Sequence, residues 1–204
     1  SMSGKATDIY QEGIRIPPIK IIERGQINEA ALELLMSNMR VPEERLGDLN
    51  ASFASCRVAE KRILEICDRY GIDQLMEAVR LDMDRAEARM RSSIERLPDG
   101  TYYYEDYLET FIGGKFEPLL LPLALTIRGD QMVADFTGAS TQVPFPVNST
   151  AAVSAASVFI AMKSVFDPAA PLNQGSFRPI EVITPPGTIV NVQRPAPAGS
   201  HGEI

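Results

Sequence analysis

Between Met132 and Val192 the chain places six polar residues suited to a small polar ligand: Asp135, Thr137, Gln142, Asn148, Asn173 and Arg178. Asn and Gln can hold carbonyl or amide groups, and the planar guanidinium of Arg178 can meet a carboxylate or phosphate with two donors at once. A strand-like run from Met132 to Phe136 enters the polar turn Thr137 to Gln142. It continues through Val143-Pro144-Phe145-Pro146 to Asn148-Ser149-Thr150, where Asn148 is placed to cap a helix opening at Ala151. Such an order gathers amide donors that can hold an anion or a carbonyl oxygen. It is also an ordinary way to begin a helix, and turn chemistry or structural hydrogen bonding is the competing account of each of the six.

Several kinds of chemistry are excluded. His201 is the only histidine, so neither a histidine-rich metal site nor a Ser/His/Asp triad can be assembled comfortably. Gly114-Lys115 lacks the glycine that a phosphate-cradling loop needs five positions earlier, no Gly-x-Gly-x-x-Gly follows a strand, and no Cys-x-x-Cys occurs. With 27 acidic against 20 basic residues the net charge is −7, and no basic stripe is available for nucleic acid. No apolar stretch is long and uninterrupted enough to span a bilayer, and no signal peptide is evident. Ser1-Met2-Ser3-Gly4 reads as a cloning remnant. Cys56 and Cys67 fall in one expected helix, separated by about 16 Å along its axis. That is beyond the roughly 7 Å a disulfide tolerates between α-carbons, so both should be free thiols of a cytosolic protein.

The elements that would position the six residues follow from periodicity. The 204 residues, 45% of them apolar, can form a substantial core. Residues 1–25 form an extended leading segment, since Pro17-Pro18 forbids a helix among the surrounding isoleucines. Glu12 and Arg15 flank Gly13, either as a surface pair or facing a pocket. Residues 26–98 are helical. Asn28 caps a short helix with Leu32, Leu35, Met36 and Met39 inward, and Pro42 opens a long one. Its stripe of Leu46, Leu49, Phe53, Cys56, Glu60, Ile63, Cys67 and Tyr70 ends at Gly71. A second stripe, Met76, Val79, Met83, Ala86, Met90, Ser93 and Leu97, completes an expected antiparallel helical hairpin. Glu60 on that seam needs a partner such as Arg89, or marks an outward drift of the stripe.

Residues 99–204 change to a strand period. Thr101 to Thr110 is aromatic and acidic, and Leu119 to Ile127, apolar throughout, is expected to be buried on both faces. The Arg128-Gly129-Asp130 turn leads to Gln131–Phe136, a small-residue helix spans Ala151 to Phe166, and short strands end at Ile183 and Val192. The fold class is therefore α+β: a helical hairpin followed by a mixed, largely antiparallel sheet with a packed small-residue helix.

Six stretches, in order and spacing, resemble the hydantoinase B/oxoprolinase family. They are Glu12-Gly13-Ile14-Arg15-Ile16-Pro17-Pro18, Gly47-Asp48-Leu49-Asn50-Ala51, Gly100-Thr101-Tyr102, Asp135-Phe136-Thr137-Gly138, Asn173-Gln174-Gly175 with Arg178-Pro179-Ile180, and Pro186-Gly187-Thr188. The resemblance implies the B-type subunit of an ATP-dependent enzyme. An A-type partner of actin-like fold would bind the nucleotide and phosphorylate the substrate, and the B half would open a cyclic amide such as 5-oxoproline or N-methylhydantoin. Carboxylation of a ketone, in the acetone and acetophenone branch, is the alternative reaction. A non-catalytic docking region, with residues 42–97 held against the partner or a second copy, is the alternative role.

Members of the family are more than twice as long, and the His- and Asp-containing metal segments expected before Glu12 are missing. The chain thus reads as an internal piece with one larger domain cut at both ends. It should bind no metal or nucleotide itself and be inactive alone, with ATP on the partner and a divalent metal implied for the parent. Asp135, Thr137, Gln142, Asn148, Asn173 and Arg178 are then the candidate substrate-binding residues, with catalytic residues unassigned.

Overall fold

Residues 6–112, 115–168 and 172–199 are described by the computed structural model; His201 and the end of the Pro168–Pro171 loop lie outside them. The chain divides into two compact units, Ile14–Val79 and the combination of Ser1–Gly13 with Arg80–Ile204.

In the first unit, the extended segment expected after Gly13 ends in a small hairpin, β1 (Ile22–Glu23) with β2 (Gln26–Ile27). Its two turn residues, Arg24 and Gly25, both have positive φ, 52° and 79°. Two such residues match the right-handed twist of the flanking strands, at some strain for Arg24. Asn28 caps α1 (Glu29–Ser37), its Oδ1 accepting from Ala31 N at 3.2 Å. The 29-residue α2 (Pro42–Tyr70) starts with proline in its first turn and Glu43 and Glu44 at its positive end, and Gly71 stops it with φ 84°.

α3 (Ile72–Ile94) follows at once. The two helices succeed one another as expected, but their stripes are not buried as a hairpin seam would be. No residue of α2 is buried; Ile63 and Met76 are 52% and 58% exposed. Only Ala86, Met90 and Ile94, in the far half of α3, are buried, and Met90 and Ile94 enter the sheet core instead. Glu60 is exposed rather than paired with Arg89, whose guanidinium meets the buried carboxylate of Asp167 with two donors at 2.9 and 2.5 Å.

The second unit is built on a four-stranded sheet ordered β3-β4-β5-β6. β3 (Gly100–Ile112), β4 (Lys115–Arg128) and β5 (Gln131–Asp135) form an antiparallel meander, and β6 (Ile180–Ile183) joins β5 in parallel. Gly129, at φ 59°, makes the β4–β5 turn, and its amide donates to Asp99 Oδ1. β4 is less enclosed than its unbroken apolar sequence suggests. Leu119 and Ile127 are buried and the residues between are half-buried, both where β5 pairs with the strand and before it.

The helix α4 (Ala151–Phe166) carries Ser154, Val158 and Lys163 on its buried side. One core joins Met90, Ile94, Ile127, Met132, Ala134, Val158 and Ile180; the other joins Leu119, Ala139, Val147, Ile189 and Val190. Ile189 to Val192 is not the strand expected: it is held by isolated bridges of Thr188 to Thr141 and Asn191. The α+β class is as read. Among the described residues no helix is long and apolar enough to cross a membrane.

Candidate functional site

The six candidate residues fall into three places. Asp135 ends β5, and its Oδ1 accepts from both the amide and the hydroxyl of Thr137, at 2.8 and 2.6 Å. This closes a local turn, continued by Gly138 at φ 99°. Gln142 and Asn148 face the segment 193–197. Gln142 Nε2 donates to Gln193 O at 3.1 Å and its Oε1 accepts from Gln193 N at 2.7 Å.

Asn148 is wholly buried. Its Oδ1 accepts from Val143 N, and its Nδ2 donates to the carbonyls of Val143, Phe145 and Pro197 at 2.8 to 2.9 Å. It is therefore not the helix cap expected from its position. Thr150 caps α4, with Oγ1 accepting from Val153 N. Local order identified the helix start, but burial assigned the asparagine to the loop.

Asn173 and Arg178 bracket a single 3-10 turn, Gln174–Phe177, and they do come together. Asn173 Oδ1 accepts from Gly175 N at 2.9 Å, which opens the turn. Gly175 lies so closely against the main chain of α3 that a Cβ there would overlap the Met83 carbonyl. Glycine therefore permits the contact that sets the distances on either side. Asn173 Nδ2 donates to Asp82 at 2.9 Å, and Arg178 Nη1 donates to Asp84 and Glu87, each at 2.9 Å.

Glu87 also receives Arg91, which reaches Asp130 at 3.2 Å. The hydrogen bonds from Arg178 and then Arg91 hold the Glu87 carboxyl below its ordinary range, against the opposing effect of burial.

A cleft of about 440 Å³ opens beside this network, lined by Phe159, Leu172, Asn173, Gln174, Phe177 and Arg178. Phe159 of α4 and Phe177 stack with ring centroids 4.5 Å apart. The result is an apolar wall with an amide and a guanidinium at its edge. Arg178 commits Nη1 to α3, while no described residue accepts from its Nε or Nη2. Asn173 similarly keeps one N–H and one lone pair beyond the bonds it makes. Such a site suits a flat or cyclic ligand with a polar edge. The aromatic pair was missed from the sequence because α4 spacing does not show which side of the helix meets the turn.

A larger trough of about 720 Å³ within residues 14–79 is lined by Ile19, Ile21, Ile22, Gly25, Phe53, Cys56, Arg57 and Glu60, and includes none of the six. Among the described residues no three His, Cys, Asp or Glu side chains converge as metal ligands. Asp82, Asp84 and Glu87 are each engaged by Asn173 or arginines, so they do not fit a metal.

The chain matches the family model described as hydantoinase B/oxoprolinase over residues 1–204. It is 37% identical over 193 residues to the beta subunit of the caprolactamase of Pseudomonas jessenii, covering 94% of this chain and 33% of that protein. It is 30% identical over 205 residues to the B subunit of a putative D-/L-hydantoinase of Pseudomonas sp. (strain NS671), covering 94% and 34%. The crystal structure of the ATP-dependent caprolactamase from Pseudomonas jessenii superposes with a TM-score of 0.90 at 36% identity, covering 96% of this chain and 34% of that one. The chain thus spans about a third of the length of these relatives.

Proposed function

Because the chain belongs to the hydantoinase B/oxoprolinase family, we propose that it forms part of a B-type subunit of an ATP-dependent cyclic-amide hydrolase working with a nucleotide-binding A-type partner. A ring amide is a poor electrophile until its oxygen becomes a phosphate-type leaving group, so ATP chemistry on the partner and ring opening on the B-type side divide the work. The observation that carries the reading for this chain is the convergence of Asn173 and Arg178 on a cleft walled by Phe159 and Phe177.

In this account the aromatic wall takes the ring, Asn173 holds its amide group, and Arg178 Nε and Nη2 take a carboxylate or phosphate. Asp135, Thr137, Gln142 and Asn148 hold their own loops and are not among the residues lining this cleft. The test is ATP- and substrate-dependent turnover by the longer protein with its A-type partner, comparing lactams, hydantoins, 5-oxoproline and ketones with and without bicarbonate. Arg178→Ala and Asn173→Ala are expected to lower kcat/KM by about 10- to 100-fold. Unchanged turnover in both variants removes the cleft from the reaction, and a strict bicarbonate requirement with a ketone transfers the function to carboxylation.

One feature favours a second reading, in which the helical region docks the A-type partner: α2 leaves Val58, Ile63, Leu64 and Ile66 exposed. Ile63→Ser with Leu64→Ser should then weaken co-purification with the A-type partner. Intact co-purification counts against it.

A further inference from the structure

Glu12 makes a contact that neither the cleft nor the sheet uses. Its side chain is half-buried, Oε2 accepts from Ala198 N at 2.9 Å, and Oε1 accepts from Gly199 N. Two successive backbone N–H groups aimed at one anion form a nest, a concavity with partial positive charge that the main chain alone supplies. A Cβ at Gly199 would stand 2.6 Å from Glu12 Oε1 and 3.2 Å from its Cδ, so the carboxylate lies close against the glycine.

Nearby bonds show what the contact holds. Ile9 N donates to Pro195 O at 2.8 Å, Asn148 Nδ2 donates to Pro197 O at 2.8 Å, and Gln142 and Gln193 are joined by two bonds. The segment 193–199 is thus fastened on one side by Gln142 and Asn148. On the other it is fastened by residues 9–12, where Glu12 brings a full negative charge. Hydrogen bonds to a charged acceptor are about twice as strong as neutral ones, so Glu12 is the strongest of these fastenings.

We propose that Glu12 is a positioning residue that locks the 193–199 loop through its charge, by filling the amide nest of Ala198 and Gly199, and that the emptied nest accepts a free small carboxylate. The lock acts on the loop that Gln142 and Asn148 grip, and it stands whether or not the cleft is a substrate site.

Hydrogen exchange at the Ala198 and Gly199 amides of the 204-residue chain tests this, with the amides of Met90 and Ile94 reporting the integrity of the core. Glu12→Gln keeps the size and removes the charge; protection at 198 and 199 should fall about tenfold while the core amides hold. In Glu12→Ala, acetate or formate should restore that protection and chloride at equal ionic strength should not, while wild type responds to neither. Glu12 is not a charge lock if Glu12→Gln exchanges as slowly as wild type, or if acetate and chloride act alike on Glu12→Ala.

Discussion

The two units treat their apolar residues in opposite ways. Among the described residues of 14–79 the only buried hydrophobic ones are Ala31 and Leu35, although α2 alone is 29 residues long. The second unit encloses two apolar clusters around β4 and β5, one of which takes in Met90 and Ile94 of α3. Apolar residues at helical spacing therefore led to a packed interior in one region and to an uncovered stripe in the other. The helix α2 relies on good ends and on exposed pairs such as Arg45–Asp48 and Arg62–Glu65. Pairs of that kind stabilise a helix by only about 0.3 to 0.5 kcal/mol each. Heptad spacing tells where a helix is apolar, but not what covers it.

The contrast is most easily broken in the core. Met90→Ala should destabilise the chain by about 3 to 4 kcal/mol in denaturant titration, because the side chain is wholly buried between α3 and the sheet. A loss below about 1 kcal/mol would mean that the second unit is no better packed than the first.

Asn148→Ala comes next, at about 2 kcal/mol, since it leaves the Val143 amide and three carbonyls without their side-chain partner inside the fold. Thermal melting should show it, together with faster exchange across residues 143–149.

Glu87 sharpens the comparison through pH. Its folded carboxyl titrates below the unfolded value, so its contribution is present above about pH 4.3, the ordinary glutamate value, and is lost as pH falls through the lower folded value. Wild type should lose more stability than Glu87→Gln on acidification from about pH 5, while the two curves run parallel above about pH 6. Parallel curves at every pH would show that Arg178 and Arg91 add nothing through this carboxyl.

The smallest effect belongs to α2. Ile63→Ser should change stability by about 0.5 kcal/mol or less, with any larger change appearing in self-association measured by sedimentation. A loss of several kcal/mol there would show that the helix is covered in solution after all.

Much of the architecture was legible because local chemistry dictates it. Asn28, Pro42 and Gly71 mark helix ends by capping and backbone preference, and Arg128-Gly129-Asp130 marks a turn. What escaped depended on residues distant in sequence. Arg89 meets Asp167 rather than Glu60, and Glu12 reaches across the chain to Ala198 and Gly199. Nothing in the spacing around Asn148 distinguishes a helix cap from a buried loop clamp. For the candidate site, residue type pointed to Asn173 and Arg178, while the Phe159–Phe177 wall required the packing of α4 against the 3-10 turn.

The parallel pairing of β5 with β6 also constrains how the molecule can be made. The meander β3-β4-β5 can zip up as soon as its own turns leave the ribosome, but β6 emerges only after the whole of α4 and its flanking loops. Until then one margin of β5 stands with open amides and carbonyls, an invitation to a strand from another nascent chain. Slow translation or crowded expression should therefore favour aggregation at this margin, and a chain shortened before Ile180 would carry the hazard permanently.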